Sequence, residues 1–133
     1  MTHHDPIVPK DERDVCEAVA AAMASGEKLE IVGGGTKQGV GFPDRHARKL
    51  SMTGMARVID YDPAELVLTV EPGARLADIE TLLAQHNQML AFEPYDFAGV
   101  TGGAVGHSTI GGVVAAGLAG WRRISAGGVR DHV

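Results

Sequence analysis

Apolar residues recur at helical spacing in DERDVCEAVAAAMASG (11–26), where Val15, Val19, Ala22 and Met23 share one face. The pattern predicts an amphipathic first helix, with Cys16 packed beside that face as a small buried hydrophobe. Asp11 suits its N-cap, acids follow in the first turn, and Gly26 suits its end. KLEIV (28–32) and RKLSM (48–52) read as short strands. RVIDYDPAELVLTVEPG (57–73) reads as a hairpin, with strands over 57–61 and 66–71 around a turn at DPAE. ARLADIETLLAQHN (74–87) predicts a second amphipathic helix with Leu76, Ile79, Leu82 and Leu83 inward. QMLAF (88–92) is a candidate fifth strand and EPYDFAGVTGGAVGH (93–107) a loop. STIGGVVAAGLAG (108–120) suits a short helix opening at Ser108 or Thr109. The order α-β-β-β-β-α-β-α is α+β, not a regular βαβ alternation.

Composition narrows the class. A chain of 133 residues, 44% hydrophobic and 22% charged, has the length and apolar content of one globular domain. Net charge of −5, six aromatics and no basic stripe exclude a nucleic-acid binder. The single cysteine cannot form an internal disulfide, which fits a reducing, cytoplasmic setting. The polar N-terminus lacks the apolar core of a secretory signal. Residues 97–121 carry no Asp, Glu, Lys or Arg, but their glycines, threonines, Ser108 and His107 make a poor membrane-spanning helix. The six histidines, including the adjacent His3 and His4, show no helical metal-ligand spacing. Asp60, Asp62 and Glu65 surround a turn and read as backbone caps, and Trp121 as a core residue.

Glycine is the outlier. Five of the eighteen fall within EIVGGGTKQGVG (30–41) and eight within GVTGGAVGHSTIGGVVAAGLAG (99–120). The first cluster is no P-loop, because Lys37 follows Thr36 and precedes Gln38. Nor is it the dinucleotide fingerprint, because Gln38 stands where the last glycine belongs. What fits is an anion nest between two short strands, with Gly33, Gly34 and Gly35 admitting close backbone approach, Thr36 a hydroxyl and Lys37 a charge. The helix opening at STIGG would aim free N–H groups of Thr109 to Gly112 at the same ligand. Two such sites suit a diphosphate gripped from both sides, as in a dinucleotide held between two lobes. Two glycine-rich surface turns are the simpler alternative.

The run VGGGTKQG … RVIDYDPAELVLTVEPGARLADIETLLAQHNQMLAFEP … STIGGVVAAGLAGWRRISAGGVRDHV resembles the FAD-binding subunits of bacterial glycolate oxidases. More broadly it resembles the vanillyl-alcohol-oxidase-like, PCMH-type flavoprotein domain. The likeness implies a two-lobed α+β FAD-binding domain: residues 1–56 as the first lobe with the glycine loop, and 57–133 as the N-terminal part of a second lobe, truncated at GGVRDHV. It implies that Gly33, Gly34, Gly35, Thr36, Lys37, Gln38 and Gly39 wrap the pyrophosphate and that Thr109, Ile110, Gly111 and Gly112 contact it from the second lobe. Gly117, Gly120, Arg122, Gly127 and Arg130 would lie nearer the flavin ring or the lobe interface, and Asp131 would partner an arginine. FAD would be non-covalent, since Thr36 stands where covalent relatives place His or Cys. The implied reaction is oxidation of a small 2-hydroxy acid such as glycolate by hydride transfer to the flavin, in a complex with a companion flavin subunit and an iron–sulfur subunit at the inner face of the plasma membrane. No catalytic constellation lies in these residues, so a non-catalytic assembly or electron-relay subunit, or a flavin oxidase for another alcohol or sugar, stand as alternatives.

Overall fold

Residues 5–42, 44 and 46–133 are described by the structure, a computed structural model. The chain runs α1 (Glu12–Ser25), β1 (Leu29–Val32), β2 (Arg48–Ser51), β3 (Val58–Asp62), β4 (Val67–Val70), α2 (Leu76–Ala84), α3 (Ala98–Thr101), α4 (Ile110–Ala116) and α5 (Arg123–Ala126), with 3-10 turns at Met52–Gly54 and Val129–Asp131. The α+β reading holds. Asp11 caps α1 by accepting from the Asp14 N–H, and Gly26 ends it in the left-handed region at φ 72°. The capping signals were therefore read correctly, but the packing face was not. Ala22 is the one buried residue of α1; Met23 is 80% exposed and Cys16 is exposed, against the expectation that both pack inward. Each stands one position, about 100° of helix, past a residue that does turn inward (Val15 or Ala22), which rotates it to solvent.

β1 and β2 pair in parallel, Leu29 with Arg48 through Val32 with Ser51, and Ile7 extends the pairing on the far side of β2 at Leu50. Leu50 is 1% exposed and anchors this sheet. β3 and β4 form an antiparallel hairpin. Its turn is closed by Asp62, which accepts from the N–H groups of Ala64 and Glu65, as the turn-capping reading expected. The hairpin lays Tyr61, Leu68 and Val70 on a cluster of Ala74, Ile79 and Leu83. A second cluster joins Leu76, Phe92, Val113 and Val129, and Leu90 and Ile110 touch both.

QMLAF forms no strand. Leu90 and Phe92 alternate inward as a strand would, but no strand edge pairs with them among the described residues. Side chains hold the segment instead: the Tyr61 hydroxyl donates to Gln88 Oε1 and Gln88 Nε2 donates to the Pro63 carbonyl, both at 2.7 Å. The expected loop 93–107 contains the single turn α3. Trp121, expected in the core, is 99% exposed, because Gly120 rather than the indole packs inward, its N–H donating to the Phe92 carbonyl. His3 and His4 lie outside the described residues. Among those described, no helix is long and apolar enough to cross a membrane, and no group of three metal-ligating side chains converges.

Candidate functional site

The glycine loop leaves β1 at Gly33 and packs against the segment that enters α4. Gly33 and Gly34 are glycine for a reason the sequence did not show. A Cβ on Gly33 would stand 2.1 Å from Thr109 Oγ1, and one on Gly34 would stand 1.5 Å from the His107 carbonyl oxygen. Their bare backbone lets the loop press against the strand-like segment entering α4. Gly39 is likewise tight against the Thr101 carbonyl, and Gly103 against Thr36 Cα. The Thr101 hydroxyl donates to the Thr36 carbonyl, and Thr36 is buried. Gly35 is the position that needs glycine for its backbone, at φ 72°.

This packing builds an open cleft of about 420 Å³ between the glycine loop and the α4 region. One wall is Gly33, Gly34, Gly35, Thr36, Lys37 and Gln38; the facing wall is Thr109, Gly112, Ala115 and Ala116 of the α4 region. Among the described residues no acceptor takes the N–H groups of Gly34, Gly35, Thr36 or Lys37, and no carboxylate pairs with Lys37. Four consecutive donors beside an ammonium fit an anion of the size of a diphosphate.

The opposite wall departs from expectation. Thr109 caps α4, its Oγ1 accepting from the Gly112 N–H at 3.3 Å. The Ile110 and Gly111 N–H groups donate to the carbonyls of Ala74 and Pro72, both at 2.9 Å. The first turn of α4 is thus not a free row of donors; it is stitched to the 72–74 segment, where Leu76 N–H also donates to the Ser108 carbonyl. Thr109 and Gly112 reach the cleft, while Ile110 turns to the core and Gly111 abuts Pro72. Gly39 lies beside the cleft rather than on its lining.

Gly117, Gly120, Arg122, Gly127 and Arg130 do not line it either. Gly117 ends α4 at φ 61°, and Gly127 turns the chain at φ 79°. Arg122 and Arg130 are exposed. Asp131 accepts from the Gly128 N–H at 2.7 Å rather than from an arginine. The sequence reading missed Ile31, Val40, Phe42 and Asp44 at the mouth of the cleft. Their signal was the alternation of Val40 and Phe42 among glycines. Asp44 is fixed by Lys28 at 2.9 Å, and that hydrogen-bonded ammonium, with the His46 N–H, holds its carboxyl below the ordinary range.

Residues 6–133 match the FAD binding domain family. The chain is 37% identical over 117 residues to glycolate oxidase subunit GlcE of Escherichia coli (strain K12), covering 88% of this chain and 31% of that protein. It is 32% identical over 108 residues to L-gulono-1,4-lactone dehydrogenase of Mycobacterium tuberculosis, covering 76% and 24%. Among solved structures, alkyldihydroxyacetonephosphate synthase superposes with a TM-score of 0.70 at 21% identity, over 93% of this chain and 24% of that one, which shows the fold. Aclacinomycin oxidoreductase superposes with a TM-score of 0.67 at 27% identity, over 93% and 23%. The chain therefore spans less than a third of the length of these relatives. A loop of free backbone donors on a short parallel pair, a hairpin packed on α2, and a family match over nearly every residue lead to one assignment: this chain belongs to the FAD-binding domain family of flavoprotein oxidoreductases, with FAD as the cofactor.

Proposed function

We propose that this chain forms the FAD-holding part of an oxidoreductase of the glycolate oxidase type, acting on a small 2-hydroxy acid. The observation that carries the reading is the cleft, lined on one side by residues 34–37, whose N–H groups have no acceptor among the described residues, and on the other by Thr109 and Gly112. The 37% identity to a glycolate oxidase subunit supports the substrate class. Gly34, Gly35, Thr36 and Lys37 would bind the pyrophosphate, with Gly33 and Gly39 shaping the loop. Thr109 and Gly112 would close the other side, held there by the bonds of Ile110 and Gly111 to residues 72–74. FAD, when bound, supplies the hydride acceptor; the protein supplies position and local field. Thr36 is buried and its hydroxyl is a poor nucleophile, so FAD is held non-covalently. Companion flavin and iron–sulfur subunits, and a site at the cytoplasmic face of the membrane, complete the proposal.

The likeness to L-gulono-1,4-lactone dehydrogenase favours one second reading, a flavin dehydrogenase for a sugar-derived alcohol. Anaerobic addition of glycolate to the yellow holoprotein in its complex is expected to bleach the flavin absorbance. Bleaching by sugar lactones alone would select the second reading, and no bleaching by either would favour a non-catalytic subunit. Acid precipitation is expected to leave the yellow colour in the supernatant; colour kept in the pellet would contradict non-covalent binding. The 133 residues alone are expected to show no turnover with an artificial acceptor, since they span under a third of the related enzymes.

A further inference from the structure

The geometry points to Phe42 as an aromatic platform for one of the two planar rings of the dinucleotide, an inference that rests on the pyrophosphate reading of the cleft. Phe42 has its full side-chain surface in solvent, with Val40 69% and Ile31 71% exposed. Single apolar residues on a surface are ordinary. Here three share the lining of one cleft with the row of N–H donors and Lys37, so one cleft offers both anion donors and exposed apolar surface. A dinucleotide has the same division, a diphosphate joined through a sugar or sugar alcohol to a flat ring. Charge also sets the direction. Glu30 lines the cleft too, and its carboxylate disfavours phosphate beside it, whereas the Lys37 ammonium favours it. Asp44 is the fixed point beyond Phe42, tied to Lys28 at 2.9 Å, and Gly41 at φ 85° sets the backbone just before the ring. A phenyl ring offered to a flat heterocycle gains both buried area and stacking, whichever ring it meets.

The test is titration of the full chain in its complex, stripped of cofactor, with FAD, ADP and FMN, read by flavin fluorescence quenching and, for ADP, by calorimetry. Phe42→Ala is expected to weaken FAD binding about 10-fold, or about 1.4 kcal/mol. Phe42→Trp is expected to keep it, and neither should shift the thermal midpoint of the stripped protein, because the side chain packs on nothing. A loss for ADP without one for FMN assigns the adenine; the reverse assigns the flavin ring. Unchanged FAD affinity in Phe42→Ala, while Lys37→Ala weakens FAD, overturns the platform and leaves the pyrophosphate reading standing. Unchanged affinity in both variants overturns the two together.

Discussion

Gly34 and Gly35 are neighbours with opposite reasons for being glycine. At Gly34 a methyl group would meet the His107 carbonyl at 1.5 Å; at Gly35 the nearest foreign atom is the Gln38 side chain at 3.7 Å, and the demand is the φ of 72°. Gly34→Ala is expected to cost about 3 kcal/mol or more, because rigid backbone must move. Gly35→Ala is expected to cost about 1–2 kcal/mol, the left-handed penalty of a residue with a Cβ. Urea unfolding of the two variants separates the cases, and equal losses would contradict the packing described here. The glycine cluster was legible in the sequence as a place of close approach. What approaches was not, since bare backbone looks the same whether it faces phosphate or a protein carbonyl.

Local signals decided the elements well where they were self-contained. Caps, the hairpin turn and the inward face of α2 depend on neighbours in sequence, and the structure follows them. The fifth strand failed because alternation says which way side chains point and not whether an edge waits beside them. The free donors expected at the start of α4 failed for a related reason: Ala74 and Pro72, remote in sequence, supply the acceptors. α2 contributes to both core clusters, through Leu76 in one and Ile79 and Leu83 in the other. Ile79 has no exposed surface and contacts both Ala74 and the hairpin side of the core. Ile79→Ala is expected to destabilise by about 3 kcal/mol. A loss under about 1 kcal/mol in chemical denaturation would mean the hairpin does not seat on this helix.

For the whole molecule, one ion pair contributes to the acid limb of stability. Glu71 is buried and accepts from the Arg57 guanidinium at 2.7 Å and from the Arg57 N–H at 2.7 Å, which hold its carboxyl below the ordinary 4.5. A lowered carboxylate stabilises the fold above its unfolded pKa, and the contribution is lost as pH falls through the folded value. Thermal midpoints are therefore expected to fall below pH about 4.5, less steeply in Glu71→Gln, which starts lower at neutral pH. Equal acid slopes would remove Glu71 from the account. Surface sets a second property. Trp121 and Ile124 are bare to solvent, and Val58, Ile59 and Val67 expose the β3–β4 hairpin, whose outer edges pair with no strand among the described residues. The isolated chain is expected to self-associate in sedimentation velocity; a single monomer boundary at high concentration would contradict this. The parallel pairing of β1 with β2 has a consequence in time. The hairpin needs only the turn at residues 63–66 to bring its strands together, whereas β1 meets β2 only after the span from 33 to 47, with no helix among its described residues to stiffen the crossover. Closing that span costs chain entropy before any ladder bond repays it. The hairpin and α2 are therefore expected to form early, and the glycine loop to take shape last, against a surface already made.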